Sequence, residues 1–267
     1  MRSPKDFVTR SWLSFPVGDR QSWADMKSRY NPNDPVRFPP DFAAQCAALK
    51  DRDELMLLKF NGVFWQLREW CGMEDLCIMM VEQPEWVMEM ANFWKDFVTS
   101  MLKKILPHIE LDAVFITEDM AYKAHPMISP DMTRTFILPA YNEWVPAIKN
   151  SGCPIVEIDS DGYIDDLIPL WIEAGVNCCS PIEVAAHCNL IDYRKKYGAK
   201  MAYLQGIDKR LIAKGGQEMR DHVTLIMEAM KKEGGFIPGC DHGVPNDVTW
   251  ARYLEFSEHL ARLCGWI

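Results

Sequence analysis

Two acidic residues, Asp159 and Asp161, follow directly on an apolar run, and their spacing is the strongest chemical signal in the chain. Residues Pro154–Ile158 read as a buried strand that runs into Asp159-Ser160-Asp161, and Gly162 lets the backbone turn sharply there. From Tyr163 to Ala174 the apolar spacing predicts an amphipathic helix. Carboxylates at the C-terminal end of a strand, just before a helix, sit where α/β barrels place their chemistry. Residues two apart on an extended backbone point the same way. Like charges aimed at one spot repel unless a metal, a cationic substrate or a shared proton relieves them. The plainer reading makes one of them a helix N-cap, but one helix start needs one cap. Glu157 shares the same alternation, either as a buried ion-pair partner or as a third member of the site.

Cys240-Asp241-His242 packs three possible ligands between Gly239 and Gly243. A site with mixed nitrogen, sulfur and oxygen donors is chemically reasonable for zinc. The plainer reading is a small buried thiol beside a hydrogen-bonded core histidine. Glu118-Asp119 end the run Ala113–Ile116, which puts them at a strand end. Tyr122 and Lys123 lie just beyond, able to donate to a substrate oxygen or anion. Arg68 sits between Trp65 and Trp70, where it can stack on a ring or grip a substrate carboxylate bidentately. His125 and His187 read as structural.

Strand candidates are Leu55–Asn61, Ala113–Thr117, Pro154–Ile158, Val176–Ser180, Met201–Gln205 and Phe236–Pro238, with helical patterns between them. Pro84–Ile105 is a long helix with Pro84 in its first turn, Ser129 caps the next, Asp165–Ala174 ends at Gly175, and Gln217–Lys232 stops at Gly234-Gly235. Alternating strands and helices predict a parallel sheet. Residues 1–50, punctuated by Pro16, Pro32, Pro35, Pro39 and Pro40, read as an arm that packs on the barrel formed by residues 51–267; within the arm only Ser22–Ser28 looks helical.

The chain has 267 residues, 48% of them apolar, enough for one large α/β domain. A formal charge of -9 argues against nucleic acid, and no apolar run has membrane-spanning length. The first residues lack an apolar leader, so a cytoplasmic protein is expected. Nine cysteines without regular spacing, two of them adjacent at Cys178-Cys179, read as reduced thiols.

From about Leu55 onward the chain resembles the uroporphyrinogen decarboxylase-like superfamily, closest to its corrinoid-dependent methyltransferase and demethylase branch. The resemblance rests on ordered blocks at strand-to-helix junctions: Gly62–Arg68 with Cys71–Glu74, Thr117–Lys123 with Met127–Pro130, Asp159–Gly162 with Leu167–Pro169, Glu173–Gly175 with Pro181–Glu183, Gln205–Asp208, and Gly234–His242 with Pro245–Asp247. It implies a (β/α)8 TIM-type barrel in which the six strands correspond to the third through eighth, so that the first two βα units are lacking. It also implies that the His-x-Cys zinc ligands of the methyltransferases fall at Asp159 and Asp161 and their later cysteine at Cys240, and that His242 falls where the decarboxylases have a His-Gly pair.

The resulting expectation is metal-assisted methyl transfer from a small methylated substrate to a corrinoid carried by a partner protein. Asp159, Asp161, Cys240 and His242 converge on one divalent ion, zinc by preference. Glu118, Asp161 and His242 act in catalysis, and Arg68, Tyr122 and Lys123 hold the substrate. Alternatives are a tetrapyrrole decarboxylase and a non-catalytic, shortened barrel that serves as a binding or oligomerisation module. Open sheet edges predict a homo-oligomer.

Overall fold

A computed structural model of the chain describes residues 14–267; the first 13 residues of the arm lie outside the described residues. Strands β1 (Leu57–Asn61), β2 (Ala113–Thr117), β3 (Ile155–Asp159), β4 (Cys178–Ser180), β5 (Ala202–Leu204) and β6 (Phe236–Ile237) form one sheet in chain order. All five pairings are parallel, with Thr117 opposite Asp159 and Asp159 opposite Ser180. The helices are α1 (Arg20–Ser28), α2 (Phe42–Ala48), α3 (Val63–Cys71), α4 (Met73–Glu82), α5 (Pro84–Ile105), α6 (Pro130–Met132), α7 (Leu138–Asn150), α8 (Ile168–Glu173), α9 (Leu190–Tyr197), α10 (Lys209–Lys214), α11 (Gly216–Met230) and α12 (Trp250–Cys264). This is the α/β-barrel arrangement left open: among the described residues no strand joins β1 to β6.

Period-2 alternation divides the sheet into two unlike faces. Val114, Ile116, Val156, Ile158, Cys179 and Tyr203 point into the helix-covered core. The opposite face carries Lys59, Phe115, Glu157 and Asp159, and its outer rows are open: Leu57 is 58% exposed and Ile237 64%. Lys59 Nζ sits over the Phe115 ring at 4.5 Å. Buried Glu157 accepts a hydrogen bond from Ser180 Oγ, and burial pushes its pKa up.

The arm is tied to the helical layer. Asp19 and Ser22 form a capping box on α1. Buried Trp23 donates its indole N–H to Glu89 at 2.7 Å, and Tyr30 packs edge-on against Trp70, Trp94 and Phe97. Lys104 Nζ holds the Pro32 carbonyl at 2.7 Å. A second, smaller core joins α10, α11 and α12 around Ile207, Ile212, Met219, Val223 and Phe256.

The predicted strands all form: β2 with the expected bounds, β3 shifted by one residue to end at Asp159, and the other four shorter. The helix expected over Asp165–Ala174 begins only at Ile168, with Pro169 in its first turn. Ser129 Oγ accepts from Met132 N–H as an N-cap should. Among the described residues no helix is long and apolar enough to cross a membrane.

Candidate active site

The C-terminal ends of the strands gather charged groups from all parts of the sheet. Beyond β3, Gly162 has φ +83, and a Cβ there would lie 2.7 Å from the backbone of Ala121 and Tyr122. The close approach docks the 119–127 hairpin on this loop: Tyr163 N–H donates to the Tyr122 carbonyl at 2.9 Å. Buried Ser160 accepts from Met120 N–H at 2.9 Å. These contacts fix the backbone on either side of Asp161.

Asp161 and His242 meet: His242 Nε2 lies 3.3 Å from the Asp161 carboxylate, and both side chains are about half-exposed. Asp159 stands close behind. Burial and the neighbouring Asp161 charge push its pKa up to about 6. Asp161 is also raised by burial, with His242 pulling the other way. Neither aspartate caps the following helix, whose N-cap position is Leu167. The repulsion read from the sequence is therefore present: it raises the Asp159 pKa, and His242 offsets part of it at Asp161.

On the β4 to β6 side, Lys209 Nζ bonds Glu183 at 3.1 Å and lies 3.9 Å from Asp241. Glu183 also accepts from Gly162 N–H at 3.1 Å. Burial works against its charge, yet Lys209 holds it below the usual carboxylate range. Fully buried Asp241 accepts from the amides of Val184 and Lys209. This network ties three strand ends together beside Asp161. Glu183 and Asp241 lie in stretches already marked in the sequence; Lys209 was missed, and its only signal is that it follows Asp208, which caps α10.

Three expected site residues have other roles in the structure. Glu118 is 0% exposed. Its carboxyl accepts from Val63 and Trp65 N–H at 2.9 Å each and from the Tyr141 hydroxyl. It caps α3 from below, and Gly62 makes the room, since a Cβ there would be 2.3 Å from Glu118 Cδ. Such a group has no surface left for substrate, which corrects the catalytic role expected for it. Cys240 packs in the α10–α12 core, and burial raises its thiol pKa, so the bland reading of it holds. Arg68 is already engaged: it lies 4.1 Å from the Trp65 ring centroid and bonds Asp119 at 2.9 Å. Tyr122, 52% exposed, and Lys123 stand on the hairpin beside the mouth.

The structure thus brings Asp161 and His242 together with Asp159 nearby, and leaves Cys240 out. The donors do not fit the zinc centre that the resemblance implies: among the described residues no three His, Cys, Asp or Glu side chains gather to hold an ion. What the mouth offers is an imidazole oriented by a carboxylate, a second carboxyl that titrates near neutrality, and an ammonium fixed by two acids. Such a set can hold and transfer a proton. Asp119, at φ +44, and Gln205, at φ +69, add backbone strain at two of the same strand ends.

No curated protein sequence matches the chain. A solved structure of a methyltransferase from Methanosarcina mazei superposes with a TM-score of 0.57 at 10% identity, covering 87% of this chain and 70% of that one; the likeness is one of fold. The family model described as uroporphyrinogen decarboxylase (URO-D) matches residues 65–262. That match takes in every strand-end element of the mouth from Arg68 to His242, and the chain belongs to the uroporphyrinogen decarboxylase (URO-D) family.

Proposed function

We propose that this chain is a methyltransferase that removes a methyl group from a heteroatom of a small substrate, with His242 protonating the departing heteroatom. The observation that carries the reading is the His242–Asp161 pair, held half-exposed at the mouth of a fold shared with a methyltransferase. Asp161 orients the imidazole. Asp159 supplies a further proton store behind it. A corrinoid on a partner protein supplies the nucleophile that accepts the methyl group. The exposure of the pair suits an acceptor presented from outside, and Tyr122 and Lys123 stand where such a partner or the substrate would meet the hairpin. In the balanced step the methyl–heteroatom bond breaks, the methyl group passes to the nucleophile, and the heteroatom keeps the bonding pair and takes the proton from His242.

Free cob(I)alamin is a practical acceptor for the test. Methyl ethers, methylated amines and methyl thioethers are supplied in turn, and conversion of cob(I)alamin to methylcobalamin is followed by absorbance. The expected result is turnover with one of these classes, reduced at least tenfold in Asp161→Asn and in His242→Asn. Turnover that is unchanged in both variants, or absent with all three classes, would overturn the proposal.

A further inference from the structure

A groove of about 550 Å³ runs between the arm, the end of β1 and α3, apart from the Asp161–His242 pair. Its polar groups are mostly donors. Arg37 is held rigidly, with Nε on the Asn31 carbonyl at 2.6 Å and Nη2 on the Arg29 carbonyl at 2.9 Å. Arg29 itself is exposed, and among the described residues its guanidinium has no partner. The Tyr30 hydroxyl accepts the Trp70 indole N–H at 3.3 Å, which leaves its own proton free to donate.

Gln66 adds an amide to the same groove. It is only 6% exposed and lines the groove. Its Oε1 accepts from Asn61 Nδ2 at 3.0 Å, whereas among the described residues its amide N–H groups have no acceptor. The amide nitrogen is not closed off from solvent, so its donors are open to a ligand in the groove. Among the described residues that line the groove there is one acid, Glu69, so two guanidiniums against one carboxylate leave a single net positive charge. Pro16 and the edges of buried Trp70 and Met26 give it an apolar wall.

We infer that this groove binds a small organic monocarboxylate. The carboxylate lies against the Arg29 fork, the Gln66 amide and the Tyr30 hydroxyl, and the carbon chain lies on Trp70. Glu69 selects against dianions, which separates this ligand from inorganic phosphate. The inference uses no residue of the Asp161–His242 site and stands independently of the methyl-transfer reading.

The Trp70 indole N–H, bonded to Tyr30, is a reporter inside the wall. Its proton–nitrogen NMR resonance, assigned with Trp70→Phe and with Tyr30→Phe, is followed during titration with butanoate, with neutral butanamide and with inorganic phosphate. The expected result is a saturable shift with butanoate alone, weakened at least tenfold in Arg29→Gln. That variant changes an exposed side chain, and unchanged resonances elsewhere verify its fold. No saturable shift with butanoate, an equal response in Arg29→Gln, or equal responses to butanamide or phosphate would overturn the assignment.

Discussion

Replacing Glu118 with Gln tests whether desolvation or hydrogen bonding governs a fully buried acid at the strand ends. Burial raises the Glu118 pKa from 4.5 to about 7, although the Tyr141 hydroxyl and the α3 amides favour the carboxylate. A carboxyl whose folded pKa exceeds its unfolded value binds more protons in the native state, so stability falls as pH rises between the two values. At about 1.4 kcal/mol per pH unit within that window, the native chain loses about 2.5 kcal/mol between pH 5 and pH 8. E118Q has no proton to lose at this site and lacks that slope. Urea unfolding of both proteins at pH 5, 6.5 and 8 reads the difference, in which all other titrating groups cancel. The stability advantage of the wild type over E118Q should shrink by about 2.5 kcal/mol from pH 5 to pH 8. A constant or widening advantage would mean that the carboxylate is ionised throughout and caps α3 as an anion, and the argument from burial would be refuted.

Gly62→Ala should destabilise the fold by about 1–3 kcal/mol, because its Cβ would lie 2.3 Å from Glu118 Cδ; thermal unfolding measures this. The Asp159 carboxyl should titrate near pH 6 by carbon NMR, and Asp161→Asn should lower that midpoint by removing the neighbouring charge. Cys240→Ala should cost about 1 kcal/mol of stability and leave methyl transfer to cob(I)alamin unchanged, whereas loss of transfer would return Cys240 to the site. The edges β1 and β6, unpaired among the described residues, with Leu57 and Ile237 exposed, lead us to predict self-association; sedimentation velocity should show a species larger than one chain, and a monomer at all concentrations would contradict this.

Much of the framework was legible because its signals are local. β2 spans Ala113–Thr117 and α5 spans Pro84–Ile105 as the sequence reading had them, since an apolar run ending in acids and a proline at a helix start each act within a few residues. The Asp161–His242 contact follows from barrel geometry, which brings strand ends 81 residues apart to one mouth. The role of Glu118 was not legible, and that of Cys240 only as the plainer of two readings. Glu118 looks like any acid after a strand until Gly62, 56 residues earlier, and Tyr141 are seen around it. Cys240 is claimed by the packing of α10, α11 and α12, which no pattern around residue 240 encodes. Lys209 depends on Glu183 and Asp241, each from a different strand end, so its position in sequence carries no mark of the network.

The central claim is that His242, oriented by Asp161, delivers the proton to the departing heteroatom. The most direct measurement compares wild type with His242→Asn on two substrates of the active class, one with a good leaving group and one with a poor one, using cob(I)alamin as acceptor. A leaving group that needs protonation depends most on the acid. The account predicts that His242→Asn slows the poor leaving group at least tenfold more than the good one. An equal loss on both substrates, or no loss on either, would contradict it.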